Sequence, residues 1–125
     1  MEKLKFINEQ MTAIAVPYEF GQWSSAVTYP YFVGEITEEP TVTEDGLEES
    51  TMLLTGFYRG NLIDLETIKE RIKSHFSPIC GLTGQMDSGS IIVVFFDGAF
   101  YIPTGEADLK KIQINLKIKE WKGAV

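Results

Sequence analysis

The chain has 125 residues, of which 44% are hydrophobic and 12% aromatic. That length and composition favour one folded domain, residues 1–125, over a disordered segment. The net charge of −7 disfavours nucleic acid or an anionic membrane as a partner of the bulk surface. The lone cysteine excludes an internal disulfide, and no apolar run approaches the roughly 20 residues of a membrane helix. We therefore expect a soluble protein made in the cytoplasm.

The acidic excess is concentrated in one segment. Residues 1–58 hold ten acids against Lys3 and Lys5, whereas residues 59–125 hold eight acids against nine bases. Residues 35–50, "EITEEPTVTEDGLEES", contain seven acids and no Lys or Arg. The segment lies between the apolar runs "YPYFVG" and "TMLLTGF". We expect an acidic loop at about 37–50.

The N-terminal residues predict a helix, because apolar side chains recur every three or four positions at Leu4, Ile7, Met11 and Ile14. Pro17 limits its extent. The runs "YPYFVGEI" and "STMLLTGFYR" are rich in aromatic and β-branched residues. They predict two strands that form a hairpin around the acidic loop.

A second helix is predicted within residues 61–78. Its apolar stripe is Leu65, Ile68, Ile72 and Phe76. Asn61 or Asp64 can serve as the N-cap, and Pro78 follows the last turn. Glu66 and Lys69 are spaced to pair on the exposed side.

The last third of the chain predicts three strands. In "IIVVFFDGAFYIP", Asp97-Gly98 has the chemistry of a two-residue type I′ turn between two strands. The final strand alternates isoleucine and leucine at 112, 114, 116 and 118 with polar residues. The order is α-β-β-α-β-β-β. It predicts an α+β fold with a mainly antiparallel five-stranded sheet and two helices.

The run "IIVVFF" is apolar on both faces of its predicted strand. Either each helix covers one side of this strand, or a loop does. The alternative is that one face becomes buried when subunits associate. An uncovered run of this kind would promote aggregation.

No catalytic residues are predicted. His75 and Cys80 are the only residues of their kinds, and nothing around them supplies the third group of a Cys–His site. We expect His75 to act as a charge or cap at a helix C-terminus, and Cys80 to be a small buried hydrophobe.

No metal or cofactor is predicted either. The residues before Gly46 do not match the pattern of an EF-hand calcium loop. One Cys and one His supply too few ligands for a zinc site. Loose binding of Ca²⁺ or Mg²⁺ by the acidic loop stays open. "GLTGQMDSGS" lacks the lysine of a phosphate-binding loop and predicts a turn.

An aromatic cluster is predicted around Tyr29, Tyr31 and Phe32, with Trp23 nearby. Such residues are enriched in cores and in interfaces. They could also form the pocket of a small ligand-binding or regulatory domain, which is the alternative function.

Residues 29–76, through "YPYFVGEITEE" and "EDGLEESTMLLTGFYRGNLIDLETIKERIKSHF", resemble a family of long-tailed bacteriophage structural proteins. The resemblance is weaker through "IIVVFFDGAFYIP" and the last strand. The family is that of tail-terminator, or tail-completion, proteins encoded among head–tail and tail genes. It has no defining catalytic or ligand-binding residues.

This resemblance implies a non-enzymatic subunit of a homo-oligomeric ring, usually a hexamer, in the virion. The ring caps the tail tube and provides the surface to which the head–tail connector docks. Another neck or minor tail component is a further alternative.

Ring contacts join unlike patches. We expect acidic residues of one copy to meet the lysine-rich face of the next. The candidate interface residues are Glu44, Asp45, Glu48, Glu49, Tyr31, Phe32, Lys111, Lys117 and Lys119. The acidic loop could instead line the ring lumen or only solubilise the chain.

Overall fold

A computed structural model describes residues 2–21, 30–42, 47–86 and 89–121. The elements in chain order are α1 (Glu2–Ala13), β1 (Tyr18–Phe20), β2 (Tyr31–Val42), β3 (Leu47–Arg59), α2 (Leu62–His75), β4 (Leu82–Gln85), β5 (Ile91–Ile102) and β6 (Leu109–Trp121). The six strands form one sheet in the order β1-β2-β3-β6-β5-β4. All pairs are antiparallel except β1 with β2. The α+β class and the mainly antiparallel sheet are therefore confirmed, with six strands instead of five.

Both helices pack on the same face of the sheet and form one core with it. Phe6, Ile7 and Met11 come from α1, and Leu65, Ile72 and Phe76 come from α2. They join alternate residues of the strands, among them Met52 and Leu54 of β3, Val94 of β5, and Ile112, Ile114, Leu116 and Ile118 of β6. Of the two coverings predicted for "IIVVFF", one helix on each side is wrong. A turn does contribute, because Gly81 lies against Val93 and Phe95 on the face opposite the helices. Alternation along β5 buries Ile92, Val94 and Phe96, while Val93 and Phe95 point to the other face.

Asp97-Gly98 forms a β-bulge, and the predicted turn at this position is wrong. Phe96 pairs with Leu116 and Ala99 with Ile114, so two residues of β5 lie opposite the single Asn115. Gly98 has φ of 110°, which a residue without Cβ adopts without strain. The strand continues through the bulge to Ile102. What reads as a hairpin in the sequence is one long bent strand.

The β2–β3 hairpin is confirmed, but its strands extend far into the predicted acidic loop. Thr37 pairs with Thr51, and Val42 pairs with Glu48. Only residues 43–46, which lie outside the described residues, separate the two strands. Backbone pairing with β2 and β6 explains why β3 continues back to Leu47 despite the acidic side chains.

Two strands were absent from the sequence prediction. β1 has three residues and β4 has four, and each lies at an edge of the sheet. Both are too short for alternation to be recognised. The two helices agree with their predictions. Asn61 caps α2 by accepting a hydrogen bond from the Asp64 amide at 2.9 Å.

Candidate interaction surfaces

The sheet face opposite the helices, which we call the open face, has mixed apolar and charged character. Neither α1 nor α2 covers it. Register places the following residues on it: Tyr31, Val33 and Glu35 of β2; Glu49, Thr51, Leu53, Thr55 and Phe57 of β3; Lys111, Gln113, Asn115, Lys117 and Lys119 of β6; and Val93, Phe95 and Phe100 of β5. Most of these side chains are partly exposed. The mixture of aromatic and charged side chains is typical of interfaces.

Lysines and aromatic rings alternate on the open face. Tyr31 stacks on Phe57, with ring centroids 5.0 Å apart. The Lys111 Nζ lies 5.5 Å from the Phe57 centroid, and the Lys119 Nζ lies 5.9 Å from the Phe95 centroid. At these distances the ammonium groups interact with the ring quadrupoles. The lysine stems therefore cover part of the apolar surface, and their ammonium groups lie over the faces of the rings.

Glu49 also lies on the open face, beside two of the predicted lysines. Its carboxylate is 3.4 Å from the Lys117 Nζ and 4.0 Å from the Lys119 Nζ. The acid and the lysines that we predicted to meet between copies thus already meet within one chain. Glu48 is on the helix-bearing side, because consecutive strand residues point to opposite faces. Glu44 and Asp45 lie outside the described residues.

Phe32 does not belong to an exposed interface. It is fully buried, and its ring packs against the backbone of Gly56 on the helix-bearing face. Tyr31, its neighbour, points to the open face. The predicted aromatic cluster is therefore divided between the two faces, while Tyr29 and Trp23 lie outside the described residues.

A second surface, which the sequence prediction missed, lies on the first three turns of α2. We call it the α2 ridge, and it consists of Leu62, Ile63, Glu66, Thr67 and Glu70, which line a shallow groove of about 360 Å³. Leu62 is 46% exposed and Ile63 is 76% exposed. Both residues are apolar but lie outside the stripe that packs on the sheet. This position could have indicated an exposed apolar surface from the sequence.

The charges of the α2 ridge are held by local bonds. Lys69 donates a hydrogen bond to Glu66, and the Tyr101 hydroxyl donates another. These two bonds, the Lys69 bond first, lower the pKa of Glu66. Burial, and then the Glu66 bond, raise the pKa of Tyr101. Glu66 is thus held as a carboxylate. Lys69 also lies 3.4 Å from Glu70, so one lysine beside the ridge serves both acids, and the charged residues of the ridge itself are acids.

A groove of about 450 Å³ adjoins the α2 ridge. Leu62, Tyr101, the connection between β5 and β6, and the first residues of β6 through Lys111 line it. Arg59 fixes this connection through Glu106 at 3.2 Å and Asp108 at 3.0 Å. The contacts are structural, because each of the three charged groups has its partner within the connection or at the end of β3.

His75 and Cys80 serve no shared site. The His75 Nε2 is 2.8 Å from the Gln10 Oε1, which links α2 to α1. Cys80 is exposed, so the prediction that it is buried is wrong; its amide donates to the Ser77 hydroxyl in a tight turn. Across the residues that the structure describes, no group of three or more His, Cys, Asp and Glu could hold a metal ion. Neither described helix is long and apolar enough to cross a membrane.

Comparison with protein-family models and with curated proteins gives no match to this sequence.

Proposed function

We propose that the chain is a subunit of a bacteriophage tail-terminator ring. The ring caps the tail tube and joins it to the head–tail connector, and the subunit has no enzymatic role. The proposal places the protein in the virion neck after its synthesis in the bacterial cytoplasm. It starts from the resemblance of residues 29–76 to that family.

The open face is the observation that carries the proposal. The face of a sheet that stays in water usually carries polar residues. This face instead presents Leu53, Phe57 and Phe95 between lysines. A face of this composition is suited to contact with another protein. An assembly protein needs such contacts with its own copies, with the tail tube and with the connector.

The ligand-binding alternative has less support. It requires the aromatic residues to surround one pocket, but Tyr31 and Phe32 point to opposite faces of β2. A melting temperature that rises with a small molecule while the chain remains a monomer would favour this alternative. Another neck or minor tail component would share the same open face, and the position of the protein in the virion distinguishes it.

The test is to interrupt the reading frame in the phage genome that encodes the chain. We expect electron micrographs of the lysate to show tails of irregular length and heads without tails. Supplying the intact chain from a plasmid should restore complete particles. Particles of normal tail length and infectivity in the interrupted phage would contradict the proposal. Complete tails that lack only another appendage would favour a minor tail role.

A further inference from the structure

The α2 ridge and the open face are complementary in chemistry. The ridge presents Leu62 and Ile63 beside the acids Glu66 and Glu70. The open face presents Leu53, Phe57 and Phe95 beside Lys111, Lys117 and Lys119, whose three positive charges exceed the two negative charges of Glu35 and Glu49 on the same face. Each surface thus combines an apolar area with charge, and the signs of the net charges are opposite. This pairing favours association of the two surfaces and disfavours contact of either surface with itself.

The two surfaces lie on opposite sides of the sheet. α2 packs on the helix-bearing face through Leu65, Ile72 and Phe76, and its ridge points away from that core. The open face is the other side of β3 and β6. Leu62 and Lys111 line one groove at the end of the sheet, but the rest of the ridge cannot pack on the open face of its own copy. The ridge of a second copy can, and this contact leaves one ridge and one open face free for further copies.

We propose that the α2 ridge of one copy packs on the open face of the next copy, in a head-to-tail contact. Ile63 is the central apolar group of the ridge, and Thr55 lies at the centre of the open face, between Val33 and Gln113. A contact of this type is heterologous, and it closes into a ring when the rotation between copies divides a full turn. The closure into a ring rests on the proposed function, whereas the contact is derived from the two surfaces.

The first test uses one substitution on each surface and a matched control. Ile63→Glu adds a charge to the ridge, and Thr55→Glu adds an acid to the open face. Ile79→Glu is the control, because Ile79 is 86% exposed and is not among the residues that form either surface. We expect Ile63→Glu and Thr55→Glu each to weaken association by at least about tenfold. Ile63→Glu loses apolar contact and buries a carboxylate at the centre of the contact, whereas Thr55→Glu places an acid opposite the acids of the ridge. Ile79→Glu should associate like the unmodified chain. Thermal melting of the variants checks that each is folded.

The second test mixes the Ile63→Glu and Thr55→Glu chains. The Ile63→Glu chain keeps an intact open face, and the Thr55→Glu chain keeps an intact ridge. One copy of each can therefore form a single ridge-to-face contact, and no further copy can add to the pair. We expect sedimentation to show a species of twice the 14.1 kDa chain in the mixture and monomers in each separate sample. No association in the mixture, or equal weakening by Ile79→Glu, would overturn the proposed contact. So would an unmodified chain that stays monomeric at all concentrations.

The two proposals fail in different experiments. If the interrupted phage fails to complete its tails but the mixture forms no heterodimer, the proposed function is supported and this contact is wrong. If the mixture forms a heterodimer but the interrupted phage has normal tails, the contact is supported and the proposed function is wrong.

Discussion

Glu49 and Lys117 lie on adjacent strands of the open face, with the Glu49 Oε2 3.4 Å from the Lys117 Nζ. Both side chains are about a quarter exposed, at 28% and 24%. Paired groups with this exposure contribute little to folding, because water screens the attraction and ordering the long side chains costs entropy. The main consequence of the pair is that Glu49 reduces the positive potential of the surface that we propose binds an acidic ridge.

Glu49→Gln should therefore change stability and association in opposite directions. We expect the free energy of unfolding to fall by less than about 1 kcal/mol, because the pair is partly exposed. Association should become tighter, because the carboxylate that offsets the charges of Lys117 and Lys119 is removed from the open face. Urea unfolding and sedimentation measure the two effects. Glu9→Gln removes the same charge from an exposed position on α1 and is the control. Equal association of the two variants would contradict this role of Glu49.

Gly56→Ala should destabilise the hairpin of β2 and β3. A Cβ at this position would overlap the ring of Phe32, which is fully buried. Overpacking of this kind costs about 1–3 kcal/mol. Phe32→Leu frees space at the same contact, so the double variant should be more stable than the sum of the single losses indicates. Urea unfolding of the four proteins measures this coupling. Strict additivity would show that the ring and the backbone do not limit each other.

Asn61→Ala should cost about 1 kcal/mol of stability, because the Asp64 amide loses its acceptor. It should also weaken association, since Leu62 and Ile63 lie in the turn that Asn61 caps. Asn61→Asp keeps an acceptor oxygen and is the matched control. Thermal melting and sedimentation of the two variants make the comparison. Indistinguishable behaviour of the alanine and aspartate variants would contradict the capping role.

The free energy of unfolding should fall at alkaline pH because of Tyr18. Burial raises the pKa of Tyr18 from 10.0 to about 12, and its hydroxyl contacts the Met52 Sδ at 4.0 Å. The folded state keeps its proton at a pH where the unfolded state loses it. This contribution to stability is therefore complete below pH 10 and is lost as the pH rises from 10 towards 12. Tyr18→Phe should lessen the decline in unfolding free energy over this range. An unchanged decline in urea unfolding between pH 9 and 11.5 would exclude Tyr18 as its source.

The elements that were predicted correctly are long enough for the spacing of their apolar residues to be recognised in the sequence. The apolar stripe of Leu65, Ile72 and Phe76 determines how α2 packs, and alternation from Ile112 to Ile118 determines the two faces of β6. The same alternation places Lys111, Lys117 and Lys119 on one surface. These features depend on near neighbours in the chain.

The errors concern features that depend on partners distant in the sequence. Asp97-Gly98 has the same local chemistry in a turn and in a bulge, and only pairing with β6 distinguishes them. The positions of both helices on one face follow from packing, which the separate stripes do not reveal. Tyr31 and Phe32 could have been assigned to opposite faces, because adjacent residues of a strand alternate. Ile63 was overlooked because it falls outside the periodic stripe.

The mass of the unmodified chain in solution, measured by light scattering over a wide concentration range at low and high salt, tests head-to-tail assembly most directly. We expect one discrete species several times heavier than the 14.1 kDa chain, which dissociates as salt screens the acidic ridge from the lysines. A closed dimer would mean that two copies satisfy each other and leave no ridge and no open face for a further copy. Either a closed dimer or a monomer at every concentration would contradict the assembly that we propose.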